Sequence, residues 1–163
     1  MKKLVVIGSG VMGRGIAYVS CLGGFDTVLI DVDEKQLRNA EQEINNIFEK
    51  GIARGKIMQE DAGLAKARLN YSNFLADNVK DADLVIEAVP EKIDIKKTIF
   101  EVIDQHAPEH CLFGSNTSTM SPTEIASFTK RPEKVIAMHF FNPVHKMPLV
   151  EIIRGLETSD ETA

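Results

Sequence analysis

The sequence predicts an α/β fold built on a doubly wound, mostly parallel sheet. Short apolar runs alternate with segments of helical periodicity from one end of the chain to the other. Most of these runs are continuously hydrophobic rather than alternating, as expected of strands that are covered on both faces. With 163 residues and 44% hydrophobic composition, the chain can support one good core, so one domain is the default.

The predicted elements follow one another in β-α order, which favours parallel strands joined by crossover helices. The strand candidates are residues 4–7, 27–30, 84–88, 112–114, 135–138 and 149–153, with a weaker one at 69–72. The helix candidates are residues 11–22, 34–54 and 93–103, and a short helix that starts at Ser121 with Pro122 in its first position. The tail after Gly155 is expected to be loose.

Composition excludes several classes of function. The formal net charge is −5, so no global positive field favours nucleic acid or an anionic membrane as a partner. Cys21 and Cys111 lie far apart, without a Cys-x-x-Cys pair or a Cys/His cluster, which indicates reduced thiols and no structural metal. The apolar start is broken at Gly8, too soon for a signal peptide, and no stretch approaches the length of a membrane span. We therefore expect a cytoplasmic protein.

A histidine and a glutamate border the last two apolar runs. His139 closes residues 135–138, and Glu151 opens the following run. The linker, residues 140–148, is shorter than the dozen or more residues that a parallel crossover needs. An antiparallel return is therefore predicted, and it would bring His139 and Glu151 together as a general base with an orienting carboxylate. The alternative is a buried histidine with a coincidental glutamate, and the spacing alone does not decide between them.

A glycine-rich loop follows the first predicted strand. Gly8, Gly10 and Gly13 match the pattern G-x-G-x-x-G at the start of the predicted helix 11–22. In such a loop the first glycine makes the turn, the second lets a diphosphate approach the backbone, and the third lets helix and strand pack closely. Asp31 ends the second predicted strand, where an acidic residue binds ribose hydroxyls and repels a 2′-phosphate. NAD rather than NADP is therefore the predicted cofactor, although a glycine turn without a ligand has the same pattern.

Five segments together resemble the L-3-hydroxyacyl-CoA dehydrogenase family, and most of all its bacterial 3-hydroxybutyryl-CoA dehydrogenases. They are the glycine loop, Asp31, Glu-Ala-Val-Pro-Glu at 87–91, Ser-Asn-Thr-Ser at 115–118, and His-Phe-Phe-Asn-Pro at 139–143. The resemblance implies a Rossmann-type domain. It also implies hydride transfer between NAD and C3 of a 3-hydroxyacyl-CoA, such as 3-hydroxybutyryl-CoA or acetoacetyl-CoA, in fatty-acid or butanoate metabolism.

The resemblance also implies roles for single residues. His139 is the expected general base, Glu151 orients it, and Ser118 hydrogen-bonds the reacting oxygen. Asn116 is expected near the nicotinamide ribose. Ser118 and Asn116 also suit an ordinary loop after a strand, without any ligand.

Further residues are expected to meet the cofactor or the substrate. Glu91 and Lys96 match family positions that contact the cofactor, although a solvated helix residue is the plain interpretation of Lys96. Lys50, Arg54 and Lys56 could meet the phosphates of coenzyme A. Basic residues at the end of a helix also complement its dipole without a ligand.

The family pattern continues into a helical second domain, which forms the dimer interface and closes over the acyl-CoA. This chain ends shortly after Glu151, so we expect either a fragment of a longer, homodimeric enzyme or a naturally minimal NAD-binding module. The first would bind NADH but turn over acetoacetyl-CoA poorly alone. The second would be a non-catalytic redox sensor or structural protein. Ser118, His139 and Glu151 favour the enzyme, because sensing NAD does not need them. A third interpretation is a dehydrogenase that acts on small hydroxy acids. The His-Phe-Phe-Asn-Pro segment disfavours this interpretation.

Overall fold

The computed structural model describes residues 2–163, and its strands form one sheet with helices on both faces. The strands are β1 (Lys3–Ile7), β2 (Asp26–Ile30), β3 (Leu69–Ser72), β4 (Leu84–Glu87), β5 (Leu112–Ser115), β6 (Val135–Phe140) and β7 (Val150–Arg154). The helices are α1 (Val11–Leu22), α2 (Glu34–Ala53), α3 (Gln59–Ala67), α4 (Leu75–Asn78), α5 (Ile93–His106) and α6 (Pro122–Ala126), with a 3-10 turn at Pro132–Lys134.

The sheet has the strand order β3-β2-β1-β4-β5-β6-β7. Strands β1 to β6 pair in parallel, and β7 pairs antiparallel to β6. The chain leaves the centre of the sheet towards β3 on one side and towards β7 on the other. The loops after β1 and β4 therefore lie at a topological switch point, where open α/β sheets bind their ligands. The predicted Rossmann-type fold with an antiparallel final strand is confirmed.

Each face of the sheet has its own core. Val6 and Leu29 pack on one face in a cluster with Phe48 of α2. Their neighbours in sequence, Val5 and Val28, point to the other face and join the cluster that contains residues of α5. Successive strand residues alternate between the faces, so continuous apolar runs are what a sheet covered on both sides requires.

The helices follow the predicted periodicity except for α3 and the short α4, neither of which was predicted. Helix α2 begins after Asp33, whose side chain accepts a hydrogen bond from the backbone N–H of Lys35 and caps the helix. Helix α3 was not predicted, because its buried residues, Ala62 and Ala65, are too small to give a clear apolar stripe. Within residues 2–163, no helix is long and apolar enough to cross a membrane.

The end of the chain packs against the start of β6 and the 3-10 turn before it, so the prediction of a loose tail is wrong. The hydroxyl of Thr158 donates a hydrogen bond of 2.7 Å to the carbonyl of Val135, and Thr162 donates one of 2.8 Å to the carbonyl of Glu133. Both threonines are buried. These hydrogen bonds to backbone carbonyls anchor the tail.

Candidate active site

His139 and Glu151 lie directly opposite each other in the antiparallel pair of β6 and β7. Nδ1 of His139 is 2.8 Å from Oε2 of Glu151. In the tautomer that suits a carboxylate acceptor, Nδ1 donates the hydrogen bond and Nε2 is left to act as the base. The predicted antiparallel return across residues 140–148 is therefore confirmed, and it sets this distance.

The imidazole lines a cleft rather than the core. The side chain of His139 is 24% exposed and that of Glu151 is 49% exposed. The ring of Phe141 packs against His139 with 4.8 Å between the ring centroids, which limits the orientations of the imidazole. The cleft has a volume of about 340 Å³, and its walls include Ser118, Ile153 and both members of the pair. A general base needs such access to a substrate.

Two residues of the loop after β5 lie near the pair. Ser118 lines the same cleft as His139, so the sheet brings these two predicted site residues together. Asn116 has a different contact: its side-chain oxygen accepts a hydrogen bond of 3.0 Å from the backbone N–H of Phe140. Asn116 thereby ties the loop after β5 to the end of β6, next to His139.

The three loop glycines have the geometry that a diphosphate site requires. Gly8 has φ +97°, and a Cβ there would come within 2.8 Å of the carbonyl oxygen of Ala88. A Cβ on Gly13 would lie 1.6 Å from the carbonyl oxygen of Gly8, so helix α1 packs against the loop at this point. A Cβ on Gly10 would meet nothing within 4 Å. The open face at Gly10, at the start of α1, fits the approach of a diphosphate.

Asp31 is held at the end of β2 by the glycine loop. Its Oδ2 accepts hydrogen bonds from the backbone N–H of Ser9 at 2.8 Å and from the Ser9 hydroxyl at 2.7 Å. The backbone N–H of Asp33 donates to Oδ1. Burial acts to raise the pKa of Asp31, but these hydrogen bonds outweigh it and the pKa lies below its usual value. The carboxylate is thus ionised and oriented, and Ser9 is a residue that the sequence did not single out.

Lys96 is fully buried, so its interpretation as a solvated helix residue is wrong. Its Nζ lies 2.8 Å from Oε2 of Glu87 and 3.2 Å from Oε2 of Glu91. Glu87 is also fully buried, whereas the side chain of Glu91 is 35% exposed. The ammonium therefore lies beneath Glu91, and Glu91 is the member of this group that reaches the surface.

Glu91 is bound to the loop that carries Ser118. Its Oε1 accepts a hydrogen bond of 3.0 Å from the backbone N–H of Ser118, and its Oε2 accepts one of 3.1 Å from the hydroxyl of Thr117. Burial acts to raise the pKa of Glu91, but these donors and Lys96 outweigh it and hold the pKa below its usual value. An ionised carboxylate is therefore fixed beside the cleft.

A second, larger groove of about 650 Å³ lies between α1, the end of α2 and the loop after β6. The predicted substrate residues Lys50, Arg54 and Lys56 all line it, so they lie together on one surface. Further cationic side chains on its wall, which the sequence did not single out, are Arg14 and Lys146.

The chain matches one family over nearly its whole length. The family described as "3-hydroxyacyl-CoA dehydrogenase, NAD binding domain" matches residues 3–163. The chain belongs to this family. The resemblance predicted from the five sequence segments is thus confirmed, and the domain is one of an NAD-binding oxidoreductase family.

Named relatives of this 3-hydroxyacyl-CoA dehydrogenase domain are longer proteins. The fatty acid oxidation complex subunit alpha of Idiomarina loihiensis is 45% identical over 162 residues, which is 99% of this chain and 22% of that protein. The (S)-3-hydroxybutyryl-CoA dehydrogenase of Ralstonia eutropha has 37% sequence identity to this chain, and its crystal structure matches with a TM-score of 0.95. The match covers 99% of this chain and 57% of that one. The 3-hydroxybutyryl-CoA dehydrogenase of Escherichia coli has the same identity and TM-score, with 34% of its chain covered. The chain therefore spans well under two thirds of the length of these relatives.

Proposed function

We propose that this chain is the cofactor-binding and catalytic-pair half of an NAD-dependent 3-hydroxyacyl-CoA dehydrogenase. One observation carries the proposal: the 2.8 Å contact between His139 and Glu151 lies in a cleft that Ser118 also lines. Binding of a dinucleotide alone needs none of these three side chains. Their arrangement suits the removal of a proton from a substrate hydroxyl.

The chain's own residues handle the proton. Nε2 of His139 accepts the proton of the 3-hydroxyl group, and Glu151 stabilises the imidazolium that forms. The hydroxyl of Ser118 donates a hydrogen bond to the substrate oxygen as it becomes a carbonyl. In the reverse reaction, the imidazolium of His139 returns the proton. NAD, held by the glycine loop and Asp31, would supply the acceptor for the hydride that leaves C3.

The cofactor residues are proposed from their placement at one edge of the sheet. Gly8, Gly10 and Gly13 would hold the diphosphate, and Asp31 would accept hydrogen bonds from the adenosine ribose. The ionised Asp31 would repel a 2′-phosphate, which supports NAD over NADP. At the other end of the cofactor, we propose that Glu91 and Asn116 lie near the nicotinamide and its ribose, with Lys96 behind Glu91.

The substrate is proposed to be a coenzyme A thioester, with 3-hydroxybutyryl-CoA or acetoacetyl-CoA favoured by the names of the structural relatives. The basic groove supports this, because Lys50, Arg54 and Lys56 would meet the phosphates of coenzyme A. A role in fatty-acid or butanoate metabolism follows for a protein of this activity. We further propose that a helical C-terminal domain, of the kind that the family resemblance implies, completes the substrate site and forms a homodimer interface.

The test compares cofactor binding with turnover. Calorimetry should detect NADH binding to this chain, whereas oxidation of NADH by acetoacetyl-CoA should be slow. Turnover should rise when the chain is fused to the C-terminal part of the Ralstonia eutropha enzyme. Tight NADH binding without turnover in that fusion would instead favour a non-catalytic NAD-binding module. A fusion that carries the native Ralstonia N-terminal domain controls for the junction.

A further inference from the structure

A buried group of polar side chains lies beneath the loop that carries Ser118. We call Glu87, Lys96 and Ser115 the buried triad, since each is at most 1% exposed. The ammonium of Lys96 and the hydroxyl of Ser115 both donate to Oε2 of Glu87, at 2.8 Å and 2.6 Å. The other oxygen of Glu87 accepts a hydrogen bond from the backbone N–H of Val89 at 2.7 Å. Every polar group of the triad therefore has a partner.

The triad is connected to the cleft through one carboxylate. Lys96 contacts Oε2 of Glu91 at 3.2 Å, and Glu91 accepts the hydrogen bond of the Ser118 backbone N–H. Thr117, whose hydroxyl donates to Glu91, accepts in turn from the backbone N–H of Met120 at 2.9 Å. A continuous set of contacts thus runs from the buried triad to the wall of the cleft.

Stability alone gives a weak reason for this arrangement. Burial of an ammonium and a carboxylate has a large desolvation cost, and well-packed apolar residues of similar volume often stabilise a protein as well or better. Strand β4 is otherwise apolar and covered on both faces, so Glu87 occupies a place where an aliphatic side chain would suit the core. If apolar residues replaced Glu87 and Lys96, the core could still pack, but Glu91 would lose the ammonium beneath it.

We propose that the buried triad is a positioning device for the cofactor site. Lys96 holds the carboxylate of Glu91 from beneath, while Glu87 and Ser115 keep Lys96 in place. Through Glu91, the triad fixes the backbone at Ser118 and thereby the loop, residues 116–121, that faces His139. The inference rests on the proposed function, because Glu91 is the proposed contact to the nicotinamide end of NAD.

The test separates positioning from stability with a double variant. Lys96→Met leaves the buried carboxylate of Glu87 without a counter-charge, and Glu87→Gln leaves Lys96 with only the partly exposed Glu91 as its partner, so each should lower the thermal midpoint. The variant that carries both substitutions has no unpaired charge of the triad and should recover most of the midpoint. Its affinity for NADH should nevertheless stay about 10-fold weaker, because Glu91 still lacks the ammonium. Arg131→Met is a matched control, because Arg131 bonds Asp104 and Pro108 at the far end of α5.

Two readouts decide the outcome, and one of them needs no cofactor. Hydrogen exchange at the Ser118 amide should speed up in the double variant but not in Arg131→Met, and calorimetry should report the weaker binding of NADH. If the double variant recovered the wild-type exchange rate or NADH affinity together with its thermal midpoint, the triad would have a structural role only. If the unsubstituted chain fails to bind NADH, the proposed function is wrong. Hydrogen exchange at the Ser118 amide would still show whether the triad positions the loop. Lys96→Met with unchanged exchange would overturn the proposal without reference to any ligand.

Discussion

His139 and Glu151 are cross-strand neighbours in the antiparallel pair of β6 and β7, with Nδ1 and Oε2 2.8 Å apart. The relationship is set by the backbone register rather than by long, flexible side chains. Neighbouring residues on paired strands keep their Cβ atoms within about 4.5–5.5 Å, so a short linker is enough to hold the imidazole and the carboxylate together. The pair is therefore in place before any substrate arrives.

The first prediction concerns this pair. In an active form of the dehydrogenase, His139→Gln should lower kcat by on the order of 10²–10⁴-fold, because glutamine cannot act as a general base. Glu151→Gln keeps a hydrogen-bond acceptor but loses the charge that stabilises the imidazolium, worth about 1.5–3 kcal/mol or roughly 10- to 100-fold. Steady-state kinetics with acetoacetyl-CoA measure both. Calorimetry should find NADH affinity unchanged, and full turnover by His139→Gln would remove this residue from the mechanism.

Local patterns in the sequence were sufficient for the strands, the glycine loop and the return from β6 to β7. Each depends on neighbours in the chain: a run of apolar residues, three glycines at fixed spacing, or a linker too short for a parallel crossover. The length of residues 140–148 alone excluded a parallel arrangement of β6 and β7. It did not decide whether His139 is a general base, and the expected role of this residue came from the family resemblance.

Features set by contacts between distant residues could not be predicted. Lys96 lies on a helix whose sequence pattern is amphipathic. The burial of Lys96 depends on Glu87 and Ser115, which are on neighbouring strands. Thr158 is held by the carbonyl of Val135, which nothing in the polar tail sequence indicates. A glutamate inside the apolar run of β4 was the one signal available for the buried triad, since an unpaired buried carboxylate would be very costly.

A second prediction separates two glycines of the loop. Gly13→Ala should lower the thermal midpoint strongly, because its Cβ would lie 1.6 Å from the carbonyl oxygen of Gly8 and helix α1 would have to move. Gly10→Ala should leave the midpoint almost unchanged, since its Cβ meets nothing within 4 Å and its φ of −63° suits alanine. The added methyl group should nevertheless weaken NADH binding, because it lies where the diphosphate approaches. Wild-type NADH affinity in Gly10→Ala would show that the diphosphate binds elsewhere.

A third prediction concerns the choice between NAD and NADP. Asp31→Ala should lower the ratio of NADH to NADPH affinity, because the carboxylate that repels a 2′-phosphate is lost. Ser9→Ala removes one hydrogen bond to Asp31 but keeps its charge, so NADH affinity should fall modestly while the ratio is retained. Calorimetric titration of each variant with both cofactors makes the comparison. An unchanged ratio in Asp31→Ala would reject the proposed contact with the ribose.

A fourth prediction tests the basic groove. The triple variant Lys50→Ala/Arg54→Ala/Lys56→Ala should raise KM for acetoacetyl-CoA and reduce its dependence on ionic strength, since attraction between exposed charges is screened by salt. Its kcat and its NADH affinity should be retained. A triple alanine variant of three exposed lysines outside the groove, Lys80, Lys97 and Lys130, matches the change in net charge. Equal effects in the two variants would indicate general electrostatics rather than a binding surface.

The fifth prediction uses Asp83, at the opposite end of the sheet from the site. Its Oδ2 accepts hydrogen bonds from the backbone N–H groups of Lys2 at 2.6 Å and Lys3 at 2.9 Å, and Oδ1 lies 3.0 Å from Nε2 of His110. The two amides, helped by His110, lower the pKa of Asp83 from 3.8 to about 2. A carboxyl group with a lowered folded-state pKa adds stability that is fully present above its unfolded-state pKa.

That stability should be lost as the pH falls from about 4 towards 2, because Asp83 must then be protonated in the folded protein as well. Asp83→Asn should therefore cost about 1–2 kcal/mol of unfolding free energy at neutral pH and much less near pH 2. Denaturant unfolding at several pH values measures the difference. Asp81→Asn is the control, since its side chain is 71% exposed and its ion pair with Lys3 contributes little. A constant difference between wild type and Asp83→Asn from neutral pH down to pH 2 would contradict the lowered pKa.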